Sequence, residues 1–388
     1  MLRRLAKTGV ACALHWTGAD KLIGVLRRSR HIPLIIGYHR VVEDYAASVK
    51  GYMPPMLISR RTLEQHLDLL GRYCRFLSLD ELGARFDSGE PFDKPVAVIT
   101  FDDGYRDVYD HAFPLLKRKG IPSAVFVVTD LIGTSRVQVY DKLYLLIARA
   151  FSTWRSVPGD LAHLLDRLGI SLPEPKISRD PYTAMRSLFT GLPQAELYRV
   201  IEALEAEVQV EESALKELRA CNWEMLAEMH RAGITIGSHT RTHALLTNES
   251  RQKVADETAA SRQTLATRLG TSIQHFAYPD GQFDPAAVKL VADAGYRWAY
   301  TTCLHRDRGY PLLTIPRKIL WEDSCLDALG RSSLPLMGCE AYRVFSFVAN
   351  CRRDHGERRL AGRKMAQPVA PSQSPSLPCV EGNASRPG

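Results

Sequence analysis

Residues 95–105 read PVAVITFDDGY and join an apolar run to two adjacent carboxylates. The run Pro95–Phe101 predicts a buried strand, and Asp102 and Asp103 follow it directly. In parallel α/β sheets and barrels, ligands bind at this carboxyl edge. Because neighbouring carboxylates repel each other, a cation or a shared proton is needed to keep both. Such a pair can divide metal binding and proton transfer between its members, or one carboxylate can cap the next helix while the other is solvated.

A second polar segment, SHTRTH at residues 238–243, follows the predicted strand Ile234–Gly237. His239 and His243 are four residues apart, a spacing that places two side chains on the same side of one helical turn. Two imidazoles presented in this way commonly bind one metal ion, although a pair of surface or helix-capping histidines has the same spacing. With one carboxylate from the first segment they make three ligands and leave one position open, as in catalytic zinc sites.

Strands and helices alternate along most of the chain. Apolar runs that end at Tyr38, Phe101 and Val128 predict three strands with helical patterns between them, which is typical of a parallel sheet or barrel. The alternation stops over residues 134–220, where amphipathic patterns predict a helical insertion. It resumes with strands predicted at Gly233–Ser238, Ile273–Tyr278, Trp298–Thr302 and Leu312–Ile315.

The 388 residues carry a net charge of +8, but this charge is concentrated at the two ends. Residues 1–30 contribute +6 and residues 351–364 contribute +4, so residues 31–350 carry about −2. A central region of near-zero charge is not typical of a nucleic-acid-binding domain. We therefore predict a basic amphipathic helix within 1–30 that can touch an anionic membrane surface, a folded region over 31–350, and a basic, then Pro- and Ser-rich disordered tail over 351–388.

Hydropathy and cysteine content bear on the location of the protein and the kind of site. No run of about 18 apolar residues occurs, which excludes a membrane-spanning helix. The first residues also lack the long apolar core of a signal peptide. The eight cysteines are scattered without a Cys-x-x-Cys pair, so we expect reduced thiols and no cysteine-based zinc site. These features predict a cytoplasmic protein with peripheral contact at the inner membrane face.

The pairing of TFDDGY at residues 100–105 with SHTRTH at residues 238–243 resembles the polysaccharide deacetylases, the NodB-homology domain of carbohydrate esterase family 4. The resemblance runs through the body of the chain but excludes residues 134–220 and both ends. Its supporting segments are Tyr38–Val41, Ala112–Leu116, Phe276–Gly281 and Ile315–Arg317. It implies an α/β fold, a distorted (β/α) barrel with a helical insertion, and removal of N-acetyl groups from amino-sugar polymers.

By position, the resemblance implies that Asp103, His239 and His243 are metal ligands and that Asp102 is the general base. It also implies a divalent metal ion, most often zinc, although two histidines and one aspartate do not by themselves select zinc. In this mechanism the base takes a proton from a metal-activated water as that water attacks the amide carbonyl.

The segment Tyr278-Pro279-Asp280-Gly281 matches the third motif of the family and is expected to line the substrate and oxyanion site. The backbone N–H of Asp280 is the expected oxyanion donor. Alternatively, the Tyr278 side chain packs beside the metal site without a chemical role. Tyr105, which flanks the aspartate pair, is expected to contact sugar.

The chain departs from the family pattern at two positions. Ala277 stands where the family has Arg, and Asp280 stands where it has Tyr. Arg317 is the candidate to replace the missing Arg and orient the base, the alternative being a surface or purely structural arginine. The late general-acid histidine is also missing, and His39 fits a permuted arrangement in which an early strand supplies it, the alternative being a buried structural histidine.

The sequence thus predicts a metal-dependent deacetylase that acts on an N-acetylglucosamine-type polysaccharide or saccharide precursor. Two alternatives stay open. The insertion over 134–220 can reshape the binding groove for another acetylated amide, and the departures from the motifs are compatible with a catalytically weak carbohydrate-binding protein.

Overall fold

The computed structural model describes residues 2–19, 33–172, 178–341 and 344. The predicted tail over 351–388 and residues 20–30 of the predicted N-terminal segment lie outside the described residues. Within that segment, Leu2–Trp16 is helical, where the sequence predicts a helix. The six cysteines among the described residues are free. In the part of the chain that the structure describes, no helix has both the length and the apolarity needed to cross a membrane.

The strands are short, and those of the main sheet run parallel to one another. In chain order they are β1 (Leu34–Tyr38), β2 (Arg40–Val42), β3 (Leu57–Ser59), β4 (Arg75–Phe76), β5 (Val96–Phe101), β6 (Ser123–Val127), β7 (Thr235–Ser238), β8 (His275–Ala277), β9 (Trp298–Thr301), β10 (Ile315–Pro316) and β11 (Lys318–Ile319). The main sheet has the order β10-β9-β8-β7-β6-β5-β1-β11, with β4 paired to β5, while β2 and β3 form a separate pair.

The two ends of this sheet are one continuous piece of chain. Strands β10 and β11 are separated only by Arg317, so the segment pairs with β9 through β10 and with β1 through β11. The backbone N–H of Arg317 donates to Thr301, and that of Leu320 donates to Gly37. This segment therefore closes the sheet into a ring, and the predicted distorted (β/α) barrel is confirmed.

Helices cover the barrel, and their termini follow ordinary capping rules. In chain order they are α1 (Leu2–Trp16), α2 (Tyr45–Ser48), α3 (Arg60–Gly71), α4 (Leu79–Ser88), α5 (Phe113–Lys119), α6 (Val139–Thr153), α7 (Val157–Arg167), α8 (Pro181–Gly191), α9 (Gln194–Glu207), α10 (Glu212–Lys216), α11 (Trp223–Arg231), α12 (Arg251–Leu269), α13 (Pro285–Asp293) and α14 (Leu334–Ala341). Helix α4, for example, begins with a capping box between Ser78 and Glu81, which satisfies backbone N–H groups at its first turn.

One predicted strand is shifted. The sequence predicts a strand over Leu312–Ile315, but Pro311–Leu313 forms a 3₁₀ turn and β10 begins only at Ile315. Proline explains the difference, because its fixed φ suits the first position of a helical turn and it has no N–H to donate to a neighbouring strand.

The segment between β6 and β7 is helical, as predicted, and has a hydrophobic core of its own. Leu143, Ile147, Leu188 and Val200 are buried together there, on helices α6, α8 and α9. The barrel core is separate and forms where residues such as Phe101 and Phe276 pack. The insertion therefore folds as a layer with its own core, and Met53 from the barrel side joins that core.

Candidate active site

The predicted site residues meet at one mouth of the barrel. Strands β5 and β7 flank β6 in the sheet and run parallel, so Asp102 after β5 and His239 after β7 lie at the same edge. Arg317 reaches this edge from the segment that closes the barrel. The parallel register thus gathers side chains that are far apart in the sequence.

Asp103, His239 and His243 form a compact, buried group. One ligand atom from each lies within 4.8 Å of the other two. Asp103 Oδ1 is 3.3 Å from His243 Nε2 and 3.7 Å from His239 Nε2. His239 Nδ1 is 2.7 Å from the Ala277 carbonyl oxygen, which can only accept, so Nδ1 carries the proton and the Nε2 lone pair faces the group. This fixed tautomer suits a metal ligand.

The electrostatics of the group also fit a divalent cation. Burial and the neighbouring Asp102 charge raise the pKa of Asp103 well above its usual range. Burial lowers the pKa of His239 and of His243, so both imidazoles are neutral. A cation would relieve the repulsion at Asp103, and one carboxylate with two neutral imidazoles matches the ligand types of open zinc sites.

His239 and His243 come together through a loop and not through the predicted helical turn. Residues 239–245 form no helix, so the expected helical turn between His239 and His243 is wrong. Instead Thr240 and His243 have φ values of 71° and 62°, which turn the chain back on itself. The Thr240 hydroxyl accepts the His243 N–H at 2.9 Å and holds this loop.

Backbone strain concentrates at the site. Among the described residues, the non-glycine residues with positive φ are Asp103, Thr240, His243 and Asp280. Such conformations are costly for residues with a Cβ and persist where the surroundings enforce them. At Gly104, where φ is 69°, a Cβ would lie 2.8 Å from Val127 Cγ1, so only glycine fits directly after Asp103.

Asp102 is held by a buried, bidentate ion pair. Arg317 Nη1 lies 2.7 Å from Asp102 Oδ1, and Nη2 lies 2.8 Å from Oδ2. Nη1 also donates to the Thr100 hydroxyl at 3.0 Å. Burial alone would raise the pKa of Asp102, but Arg317 and His239 outweigh burial and lower it to about 2. Arg317 is thus a buried partner of the predicted base, not a surface arginine.

His39 lies on the wall of the cavity beside these groups. Its side chain is partly buried, and its Nδ1 has no hydrogen-bond partner among the described residues. Burial lowers the pKa of His39 to about 4, against the opposing effect of Asp102. The structure therefore places His39 near the predicted base, with a ring nitrogen unused by the fold.

The third motif reaches the cavity only in part. Asp280 and Gly281 line it, whereas Tyr278 and Pro279 are buried and do not. Tyr278 packs edge-on against Phe276, with ring centroids 5.1 Å apart, as in the alternative that gives it no chemical role. The Tyr278 and Pro279 side chains are therefore not substrate contacts, because β8 turns them into the core.

Tyr105 also departs from the prediction. It is 1% exposed and does not line the cavity, so the expected sugar contact is wrong. Its hydroxyl instead contacts Tyr140 and Asp141 of α6, which pack over it.

The insertion supplies much of the cavity wall, in line with the expectation that it can reshape the binding groove, but the residues that do so were not predicted. The cavity has a volume of about 300 Å³, and Tyr182, Met185, Arg186 and Phe189 of α8 line it. The Phe189 ring stacks on His243 with centroids 5.8 Å apart. Arg186, Phe189 and their neighbours carry no motif, because an amphipathic pattern shows which helix face is apolar but not what that face covers.

Two residues of the insertion also donate hydrogen bonds to Asp103, the carboxylate of the candidate metal site. The Tyr140 hydroxyl donates to Asp103 Oδ2 at 2.8 Å, and the Gln138 amide donates to Asp103 Oδ1 at 3.1 Å. On the other wall, Arg186 makes a bidentate pair with Asp280 at 2.9 and 3.1 Å. The insertion therefore touches both the ligand group and the third motif.

Comparison with known proteins places the chain among relatives. A family model described as polysaccharide deacetylase matches residues 89–155 and 197–299. The poly-beta-1,6-N-acetyl-D-glucosamine N-deacetylase of Staphylococcus epidermidis is 28% identical over 118 residues, which are 28% of this chain and 40% of that protein. The chain thus matches less than half the length of this curated relative.

Two solved structures are distantly similar. The Streptococcus pyogenes deacetylase PplD in complex with acetate has 17% identity and a TM-score of 0.49, over 76% of this chain and 93% of that one. IcaB from Ammonifex degensii has 20% identity and a TM-score of 0.49, over 80% of this chain and 99% of that one.

The segments matched by the family model contain both parts of the ligand group, Asp103 after β5 and the two histidines after β7. Between these segments the model skips residues 156–196, which include helices α7 and α8 of the insertion. Over these segments, which contain the Asp103, His239 and His243 group, the chain matches the polysaccharide deacetylase family.

Proposed function

We propose that the protein is a metal-dependent hydrolase that removes N-acetyl groups from an N-acetylglucosamine-type polysaccharide or saccharide precursor. The observation that carries this proposal is the Asp103, His239 and His243 group next to an ionised Asp102. The match to the polysaccharide deacetylase family model and the name of the staphylococcal relative support the substrate class.

The division of roles follows from the charges. A divalent cation, zinc for preference, would be held by Asp103, His239 and His243 and would acidify a water and polarise the amide carbonyl. Asp102 is the base that accepts the proton, since Arg317 keeps it ionised at neutral pH. Arg317 also fixes both carboxylate oxygens, so it orients the base while making it weaker.

The general acid and the oxyanion donor are assigned to residues that line the cavity. His39 is the proposed general acid, because its ring faces the cavity with a buried nitrogen that the fold leaves unused. The backbone N–H of Asp280 is the proposed oxyanion donor, since Asp280 lines the cavity in a strained backbone conformation, with a φ of 52°.

One observation favours a second candidate, deacetylation of a smaller acetylated amide. Met185 and Phe189 of the insertion and Met53 and Met56 of the barrel side narrow the cavity to about 300 Å³. This volume is at the lower end of the range of about 300–1,000 Å³ for ligand pockets.

Acetate release tests the function. Purified protein is incubated with N-acetylglucosamine oligomers, and separately with N-acetylglucosamine itself, in the presence of zinc, cobalt or a chelator. We expect metal-dependent acetate that Asp103→Ala abolishes and that Asp110→Asn, at an exposed carboxylate of the following helical turn, leaves intact. Saccharide binding without acetate under every metal condition would instead establish the carbohydrate-binding alternative.

We also propose peripheral membrane contact through α1. Ala11 and Leu14 pack inward against α14. Leu5, Val10 and Trp16 are 48%, 50% and 84% exposed, and the surrounding residues 1–30 carry a charge of +6. An apolar outer face with basic neighbours suits the surface of an anionic bilayer.

Vesicle flotation tests this contact. The protein should float with vesicles that contain anionic phospholipid and not with neutral ones, and Trp16→Ser should weaken flotation. Equal flotation of parent and variant would contradict the role of α1. The proposed location, the cytoplasmic side of the membrane, requires the protein in intact cells to resist added protease.

A further inference from the structure

A chain of three hydrogen bonds joins Asp103 to a second carboxyl group in the insertion. Asp103 Oδ2 lies 2.8 Å from the Tyr140 oxygen, and that oxygen lies 2.7 Å from the Tyr105 oxygen. The Tyr105 oxygen in turn lies 2.5 Å from Asp141 Oδ2. The exposed fractions of Asp103, Tyr105, Asp141 and Tyr140 are 1%, 1%, 3% and 5%. The four groups therefore depend on one another for hydrogen bonding.

The number of protons in this series of hydrogen bonds decides which group donates at each contact. Three oxygen–oxygen contacts need three protons, but the two tyrosine hydroxyls supply only two. Asp103 supplies none when it is a carboxylate that binds a cation. If Asp141 were ionised as well, one of the three contacts would consist of two oxygens with no proton between them. With a cation bound at Asp103, the third proton therefore comes from Asp141, which would donate to Tyr105, as Tyr105 would to Tyr140 and Tyr140 does to Asp103.

The surroundings of Asp141 support a neutral carboxyl group. Besides the two tyrosines, the titratable groups that interact with it are Arg40, Asp103, Asp107 and Tyr52. Arg40 donates to Asp107 at 2.8 Å and to the Glu217 carbonyl at 2.8 Å, so its charge is already paired with a carboxylate. Burial has the largest effect and raises the pKa of Asp141 to about 7.

We propose that Asp141 is a positioning residue, a neutral carboxylic acid that fixes the Tyr140 hydroxyl on Asp103 through Tyr105. The proposal deepens the proposed function, since it takes Asp103 as a metal ligand. With Oδ2 bonded to Tyr140, Oδ1 faces both imidazoles and accepts from the Gln138 amide. The insertion then completes the metal site and does more than cover it.

Infrared difference spectroscopy tests the protonation state. Zinc-loaded parent minus zinc-loaded Asp141→Asn, at about pH 5.5 and so below the pKa of about 7, should show the carbonyl stretch of a protonated carboxylic acid. This band should shift in D₂O. Asp110→Asn, at an exposed carboxylate that pairs with Arg106, is the control and should show no such band. If this carbonyl band were also absent from the difference spectrum of Asp141→Asn, the proposal would be wrong.

Zinc affinity tests the positioning role. Tyr140→Phe and Tyr105→Phe each interrupt the chain without changing side-chain shape, and each should weaken zinc binding about 10–100-fold in a chelator competition. Tyr144→Phe, one turn further along α6 and only partly buried, is the matched control and should change it little. Thermal midpoints show whether each variant is folded.

These experiments distinguish a failure of the positioning role from a failure of the proposed deacetylase function. If zinc binds the Tyr140 and Tyr105 variants as tightly as the parent, the positioning role is wrong while the deacetylase reaction stands. If the parent releases no acetate but the infrared band and the affinity losses appear, the proposed function is wrong and the positioning role stands.

Discussion

Replacement of Arg317 by Met should remove the buried partner of the proposed base. Arg317 is 4% exposed and makes both of its Asp102 contacts at 2.7 and 2.8 Å. Its guanidinium also lies 5.0 Å over the ring of Phe126, a contact that the Met side chain can partly replace. The change therefore isolates the charge and hydrogen bonds from the packing.

The expected magnitude follows from the burial of the pair. Removing one partner of a buried ion pair leaves an uncompensated charge and destabilises a protein by about 3–5 kcal/mol. At about 2–4 °C per kcal/mol for a large domain, the thermal midpoint should fall by roughly 6–20 °C. Activity should fall by about 10²-fold or more, because Asp102 would lose both its orientation and the charge that keeps it ionised.

The assay combines thermal midpoints with acetate release. Arg297→Met is the control, since Arg297 pairs with Asp87 on the surface and its loss should cost about 1 kcal/mol or less. Asp102→Asn combined with Arg317→Met should destabilise less than the sum of the single changes, because no unpaired charge remains. A midpoint for Arg317→Met no lower than that of Arg297→Met would refute the reasoning.

Three further predictions concern the insertion and the ligand group. Arg186→Ala should raise KM and lower kcat several-fold by releasing Asp280, whereas Arg199→Ala, at an exposed pair within α9, should leave both unchanged; equal kinetics for the two variants would contradict a positioning role for Arg186. Zinc at about 100 times its Kd should stabilise the protein by about 2.7 kcal/mol, measured as a chelator-sensitive rise in thermal midpoint that Asp103→Ala lacks. The pKa of Asp141 is raised by burial to about 7, so its stabilising effect is complete below about pH 4 and is lost as the pH rises through about 7. The parent should therefore lose stability relative to Asp141→Asn over this range, and a constant difference between the two unfolding midpoints would contradict it.

Sequence patterns could predict the barrel and the meeting of Asp103, His239 and His243, because both depend on buried strands and on the residues that directly follow them. The run Pro95–Phe101 is apolar throughout, as expected of a parallel strand buried on both faces, and β5 is indeed fully buried. Parallel strands bring their carboxyl ends to one edge, which is why Asp103 and His239 could be expected to meet across more than a hundred residues. Arg317 could be named as a candidate only through the family resemblance, which implies an Arg where this chain has Ala277.

The contacts of the insertion could not be predicted in this way. Periodicity identifies α6 and α8 as amphipathic, but not that Tyr140 reaches Asp103 or that Arg186 reaches Asp280. These contacts depend on how two separately cored layers dock. The burial of Tyr105 involves the same docking, because its hydroxyl contacts Tyr140 and Asp141 of α6.

The closing segment of the barrel ties the order of folding to the chemistry. Strand β11 pairs with β1, so ring closure joins chain from opposite ends of the barrel sequence, the kind of long-range contact that forms late. The residue between β10 and β11 is Arg317. A folding intermediate with an open ring would already hold Asp103, His239 and His243 together but would lack the partner of Asp102. The backbone pairing that closes the barrel is therefore the same one that brings Arg317 to Asp102, so the fold and the environment of the proposed base are completed by one segment.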